Sequence, residues 1–123
     1  MIFIDSNVLA YSFYENENRE RCQELVKGGG LTDTLTLIES YNIIEAEVNK
    51  EHANKSILSL LKSNLVIINI DVNVIFEALK KRTKYEKLKF LDLVHYAVAL
   101  LSNCEKIASF DNDFNGLEIE RFT

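Results

Sequence analysis

Short apolar runs rich in β-formers alternate along the chain with longer stretches in which apolar residues return every three or four positions. The first run, Met1-Ile2-Phe3-Ile4, stops at Asp5-Ser6-Asn7, an acid followed by two cap-type residues, and reads as a buried strand handing over to a helix. From Glu15 to Lys27 the residues Cys22, Leu25 and Val26 share one face, which predicts an amphipathic helix with Gly28-Gly29-Gly30 as a flexible exit. Leu31 to Thr34 suits a short strand. Leu37, Ile38, Tyr41, Ile44 and Val48 keep helical spacing from Leu35 to about Lys50, and Ile57, Leu58, Leu60 and Leu61 do so from Asn54 to Lys62. The run Leu65 to Ile70 is nearly continuous and β-branched, as expected of a strand buried on both faces. Helical spacing returns from Val72 to about Lys81, and Phe90 to Leu101 is apolar almost all round, which predicts a central helix. Lys106 to Phe110 reads as a strand ending in Asp111-Asn112-Asp113, and Leu117 to Phe122 alternates like an edge strand.

Strand and helix alternate from end to end without internal repeat, low-complexity tract or proline. That order implies βαβ units and a mostly parallel sheet in a three-layer α/β/α sandwich. A chain of 123 residues, 47% of them hydrophobic, is expected to form one domain over residues 1–123 with a single sizeable core. Cys22 and Cys104 lie far apart, outside any Cys-x-x-Cys pair, and read as buried or half-buried thiols of a reducing compartment. The amino terminus has no basic segment before its apolar run, and the most apolar stretch, near Leu91 to Leu101, holds Asp92 and His95 and is too short to span a bilayer. A soluble, cytoplasmic protein without a membrane partner is expected.

Charge narrows the partners. The net charge of −5 argues against broad electrostatic binding to nucleic acid. Its distribution is uneven: Lys80, Lys81, Arg82, Lys84, Lys87 and Lys89 face one acid, Glu86, so this window is as positive as the whole chain is negative. Such a patch suits a local phosphate contact through Lys84, Lys87 and Lys89; solvated helix-end lysines are the plainer reading.

The acids carry the candidate chemistry. Asp5 and Asp111 each end a strand, the edge at which open α/β sheets form ligand crevices. Asp92 interrupts the most apolar helix in its first turn, where it complements the helix dipole but is expensive to bury without a partner or a cation. Glu39 closes Thr36-Leu37-Ile38-Glu39, which fits a capping box; with Thr34 as the cap, Glu39 would lie a turn deeper and project elsewhere, and spacing leaves both open. Other motifs fail. Asp111-Asn112-Asp113-Phe114-Asn115-Gly116 opens like an EF-hand loop, but the twelfth position is Phe122 instead of a bidentate glutamate. The residue two after Asp5 is Asn7, which removes the second aspartate of a dehalogenase-type phosphotransfer site, and the glycines do not spell a dinucleotide fingerprint. His95, on an apolar helix, reads as a core histidine with satisfied nitrogens and His52 as a loop or helix-start residue, while Tyr11, Phe13 and Tyr14 suit the core and a chain–chain contact equally.

Four segments in order resemble the acidic motifs of PIN domains, nearest their toxin-like, VapC-type branch: Ile4 to Leu9, the early helical Glu39, Leu91 to Ala99, and Ser109 to Phe114. The resemblance covers nearly the whole chain. It implies a parallel sheet of roughly five strands flanked by helices, and Mg²⁺- or Mn²⁺-dependent cleavage of RNA to 5′-phosphate and 3′-hydroxyl ends. It implies Asp5, Glu39, Asp92 and Asp111 as the acidic quartet, Asp113 as an auxiliary acid, and Ser6, Asn7 and Ser109 as orienting polar groups. Ser109 stands where the family often has threonine. Pairing with a second copy, as a homodimer or higher oligomer, and with an antitoxin protein is also implied. The chemistry is coherent, because clustered carboxylates need countercharge and a hard divalent cation with oxygen ligands supplies it. An idle scaffold of the same fold that binds RNA or a protein, and an RNA-processing nuclease outside any toxin pair, are the alternatives.

Overall fold

The computed structural model of the protein describes residues 1–123. Five three-residue strands, β1 (Ile2–Ile4), β2 (Leu31–Asp33), β3 (Val66–Ile68), β4 (Lys106–Ala108) and β5 (Glu120–Phe122), form one parallel sheet in the order β3-β2-β1-β4-β5. Between them run α1 (Ser6–Tyr11), α2 (Arg19–Lys27), α3 (Thr34–Glu47), α4 (Lys50–Leu61), α5 (Val72–Lys80), α6 (Phe90–Leu101) and a 3₁₀ turn at Asn112–Phe114. The chain builds outward from β1 through β2 to β3, then returns to the other side of β1 with β4. The order therefore reverses between β1 and β4, and the crevice beyond their carboxyl ends is where such sheets take ligands.

Strand alternation divides the core into the two inner faces of a sandwich. Phe3 and Ile107 join Val74 and Ala78 of α5 and Leu93, Val94 and Ala97 of α6 in one buried cluster. Ile4 and Ala108, one residue on, join Val8 and Leu9 of α1, Cys22 of α2, Leu37 of α3 and Leu60 of α4 in another. The three-layer α/β/α architecture thus follows from which way neighbouring strand residues point. Both cysteines are free and buried, and no helix is long and apolar enough to cross a membrane.

The strands expected over Lys106 to Phe110 and Leu117 to Phe122 shorten to Lys106–Ala108 and Glu120–Phe122, and three other element expectations change. The run Leu65 to Ile70 contributes only Val66–Ile68, and this strand lies at the sheet's edge with Val66 exposed and Ile67 and Ile68 half-buried. β-Branched residues report a fit to a pleated surface, and burial on both faces is set by neighbours the run does not specify. The helix expected from Glu15 starts at Arg19, because the Asn16 amide donates to the Tyr11 and Tyr14 carbonyls and its oxygen accepts from the Asn18 amide, holding that stretch as a loop. Conversely α4 starts four residues before Asn54, at Lys50, with Asn49 accepting from the His52 amide as its cap. The glycine exit of α2 is a fitted turn: Gly30 has φ +144°, and a Cβ there would stand 2.8 Å from the Ile2 carbonyl.

Candidate metal centre

The crevice is built from the residues that follow β1, β2 and β4 and from the first two turns of α3 and α6. Asp5 caps α1: its Oδ1 accepts from the Ser6 amide at 2.8 Å, and its Oδ2 accepts from the Ser109 hydroxyl at 2.6 Å. The same hydroxyl accepts from the Asp111 amide at 3.0 Å, so one serine ties the end of β4 to the end of β1. Asn7 spans the same gap, its Oδ1 accepting from the Phe110 amide at 3.3 Å and its Nδ2 lying 3.5 Å from Asp5 Oδ2. Ser6 contributes its backbone, with its carbonyl accepting from Ser40 Oγ at 3.3 Å.

Asp92, Asp111 and Asp113 offer carboxylate oxygens that all lie within 4.8 Å of one another. Asp111 Oδ1 accepts from the Asp113 amide at 2.9 Å and caps the 3₁₀ turn, which swings Asp113 round beside it. Asp113, expected as an auxiliary acid, is therefore a full member of the tightest group. Oxygens on one octahedral Mg²⁺ stand about 3 Å apart when adjacent and about 4.2 Å apart when opposite, at ~2.1 Å per bond. The observed spread closes onto such an ion with small side-chain adjustments, and an all-oxygen donor set is the kind that Mg²⁺ and Mn²⁺ prefer. The residues fit the group.

The electrostatics agree. Burial, then the neighbouring charges of Asp5 and Asp111, push Asp92 up from 3.8 to about 6. Burial likewise raises Asp5, against the Ser109 hydrogen bond and the charge of His95, which lower it. Asp92 thus feels Asp5 and Asp111 as unfavourable like charge on top of its burial, which the charge of His95 only partly offsets.

Glu39 is not a capping-box residue. Asp33 caps α3 by accepting from the Thr36 amide at 2.8 Å, which leaves Glu39 a turn deeper, with its Oε1 accepting from His95 Nε2 at 2.7 Å. His95 is a fully buried histidine with both nitrogens satisfied, as its apolar helix suggests, but its partners are acids: Nδ1 lies 2.6 Å from Asp33 Oδ2. Burial opposes charge on this ring, and the hydrogen bonds to Asp33 and Glu39 override it, raising His95 to about 10. Asp33, wholly buried, escaped the sequence reading although it repeats the signal of Asp5, an acid ending a strand before a helix start.

The lysine patch lies against the acidic loop and is partly engaged. Lys84 pairs with Glu118 at 2.7 Å, and Lys87 Nζ donates to the Asn115 carbonyl at 2.5 Å, two residues beyond Asp113. Lys89, exposed, occupies the cap position of α6, three residues before Asp92. His52 lies in the first turn of α4 with Nε2 2.5 Å from the Phe13 carbonyl. Tyr11 packs edge-on against Tyr14 and tilted against Phe110, while Tyr11, Phe13 and Tyr14 all stay half-buried.

Comparison with known proteins places this architecture. The fold is similar to VapC20 of Mycobacterium tuberculosis, a sarcin–ricin loop cleaving toxin, with a TM-score of 0.80 at 15% identity over 97% of this chain and 98% of that one. It is similar to a toxin–antitoxin complex chain from Klebsiella pneumoniae, with a TM-score of 0.74 at 20% identity over 100% of this chain and 97% of the other. It also resembles VapBC2 from Rickettsia felis, solved with a DNA fragment from its promoter, with a TM-score of 0.70 at 18% identity over the full length of both chains. A search of curated proteins found no match. The PIN domain family model matches residues 2–119, and with nearly the whole chain inside that match the protein belongs to the PIN domain family.

Proposed function

We propose that the protein is a metal-dependent endoribonuclease and the toxin of a toxin–antitoxin pair. The observation that carries the reading is the convergence of Asp92, Asp111 and Asp113 within 4.8 Å at the sheet's switch point, with Asp92 raised by its burial and by the charges of Asp5 and Asp111. Asp92, Asp111 and Asp113 would hold Mg²⁺ or Mn²⁺, with Asp5, fixed by Ser6 and Ser109, as the inner acid of the same site. When bound, the cation acidifies water and neutralises charge that develops on the phosphate oxygens. Glu39 would orient the attacking water toward phosphorus. Attack of the water would form the new P–O bond and break the bond to the 3′ oxygen, and the proton the water gives up would end on that oxygen, which leaves as a hydroxyl. Lys87 and Lys89, beside the acidic loop, hold the RNA backbone, and Ser6, Asn7 and Ser109 keep the inner acid in place.

The toxin assignment draws on the likeness to toxin chains from three bacteria, two of them solved as complexes. An antitoxin and a second copy of this chain are the proposed partners, and exposed Val72, Phe76 and Leu79 on α5 and Leu58 and Leu61 on α4 are apolar enough to be covered by them. The buried free thiols suit the cytoplasm. The test is a mixed RNA pool incubated with Mg²⁺ or Mn²⁺ and with chelator, comparing wild type with Asp5→Asn and Asp111→Asn. Metal-dependent cleavage lost in both variants is expected. Cleavage that persists in the variants would refute the site, and no cleavage by a folded wild type would favour a binding scaffold.

A further inference from the structure

Asp33 has no exposed surface and so must find partners inside the protein. One oxygen accepts from the Thr36 amide and, at 2.9 Å, from the Thr36 hydroxyl; the other faces His95 Nδ1 at 2.6 Å. The far side of the same ring, Nε2, meets Glu39 Oε1 at 2.7 Å. With both acids ionised neither has a hydrogen to give, so both ring nitrogens donate and the ring carries a positive charge between them. Phe3 lies beside it with ring centroids 6.0 Å apart. The line runs from a wholly buried acid, through a ring 1% exposed, to a glutamate whose side chain is 27% exposed.

We propose that His95, clamped by Asp33, is a positioning residue that holds the Glu39 carboxylate by Oε1 and leaves Oε2 as the oxygen that addresses water at the metal centre. The inference rests on the ribonuclease reading. A glutamate has three rotatable side-chain bonds, and Glu39 has no other hydrogen-bond partner in the protein, so without the ring its carboxylate swings freely. His95 also brings a cation into a crevice otherwise lined by acids, and its charge reaches both Asp5 and Asp92. Misplacement of a reacting group by ~1 Å is worth roughly 10²-fold in rate, which sets the scale of the effect.

Two variants and one measurement on the wild type test the clamp. His95→Gln retains an amide donor for Glu39 but loses the ring's anchorage to Asp33. Asp33→Asn retains the acceptor that caps α3 while turning an N–H donor toward Nδ1, which takes the second proton and the positive charge off the ring. Each is expected to lower kcat by about 10- to 100-fold with KM for RNA nearly unchanged. In a Glu39→Ala background His95→Gln should cost nothing further, because its effect passes through Glu39; losses that simply multiply would overturn the proposal. In the wild type, ring ¹⁵N NMR should show two protonated nitrogens, with Glu39→Ala moving mainly the Nε2 signal. A ring with one bare nitrogen would overturn the clamp even if both variants fail to fold. Should wild type cleave no RNA with metal present, the ribonuclease reading falls by itself, and the NMR experiment still decides whether the Asp33–His95–Glu39 chain exists.

Discussion

Replacing Asp92 with asparagine should stabilise the metal-free protein. Burial and the charges of Asp5 and Asp111 raise the Asp92 carboxyl from 3.8 to about 6. The folded state therefore holds its proton more tightly than the unfolded chain does. Its contribution to stability is intact below about pH 4, is lost as pH rises toward 6, and stays lost above that. The shift corresponds to about 3 kcal/mol at face value; Asp92 is only half-buried, and solvent screening brings the penalty to about 1–2 kcal/mol. Asparagine forfeits ~0.5 kcal/mol of favourable interaction with the α6 amino terminus, which trims the gain without cancelling it. In chelator at pH 8 the variant should melt about 3–6 °C above wild type, and the gap should close near pH 4. Saturating Mg²⁺ or Mn²⁺ should reverse the order, since a ligand at a hundred times its Kd adds about 2.7 kcal/mol to the protein that binds it. Calorimetry of both proteins across pH, with and without metal, reads all three. A variant less stable than wild type in chelator at pH 8 would refute the claim that burial and neighbouring charge make the ionised Asp92 costly in the metal-free crevice.

Ser109→Ala removes the hydroxyl that donates to buried Asp5, so it should cost about 1–3 kcal/mol in denaturant melts and move the pH midpoint of Mn²⁺ binding upward; an unchanged midpoint would mean the hydroxyl does not tune the acid. Gly30→Ala places a Cβ 2.8 Å from the Ile2 carbonyl at φ +144°, and should destabilise by about 2–4 kcal/mol, checked by urea titration. Charge reversal at Lys84, Lys87 and Lys89 together should weaken RNA binding and flatten the slope of log affinity against log salt by about 2. Lys84 alone, already paired with Glu118, should contribute least, and a slope unaffected by the triple change would mark the patch as ordinary surface.

Local signals carried a great deal. Apolar runs and helical spacing are written in neighbouring residues, so the alternation of strands and helices, the central α6 helix and the acids at Asp5, Asp92 and Asp111 were legible in the chain. Each of those acids sits where an element begins or ends, and such positions follow from a few adjacent residues. The cap of α3 was less legible: Asp33 took the role that Thr34 or Thr36 also suited, and that choice released Glu39 into the crevice.

By itself the sequence determined the layered α/β class, the element order and the acids at the element ends, because propensity and periodicity act over a turn or a pleat. Only the tertiary structure decided that β3 is an edge strand, that Asp113 joins Asp92 and Asp111, and that His95 bridges two acids 62 and 56 residues away. Periodicity tells which face of an element is apolar. What lies across from that face is set by sheet order and by the partners a buried charge must find, and those appear only when the chain is folded.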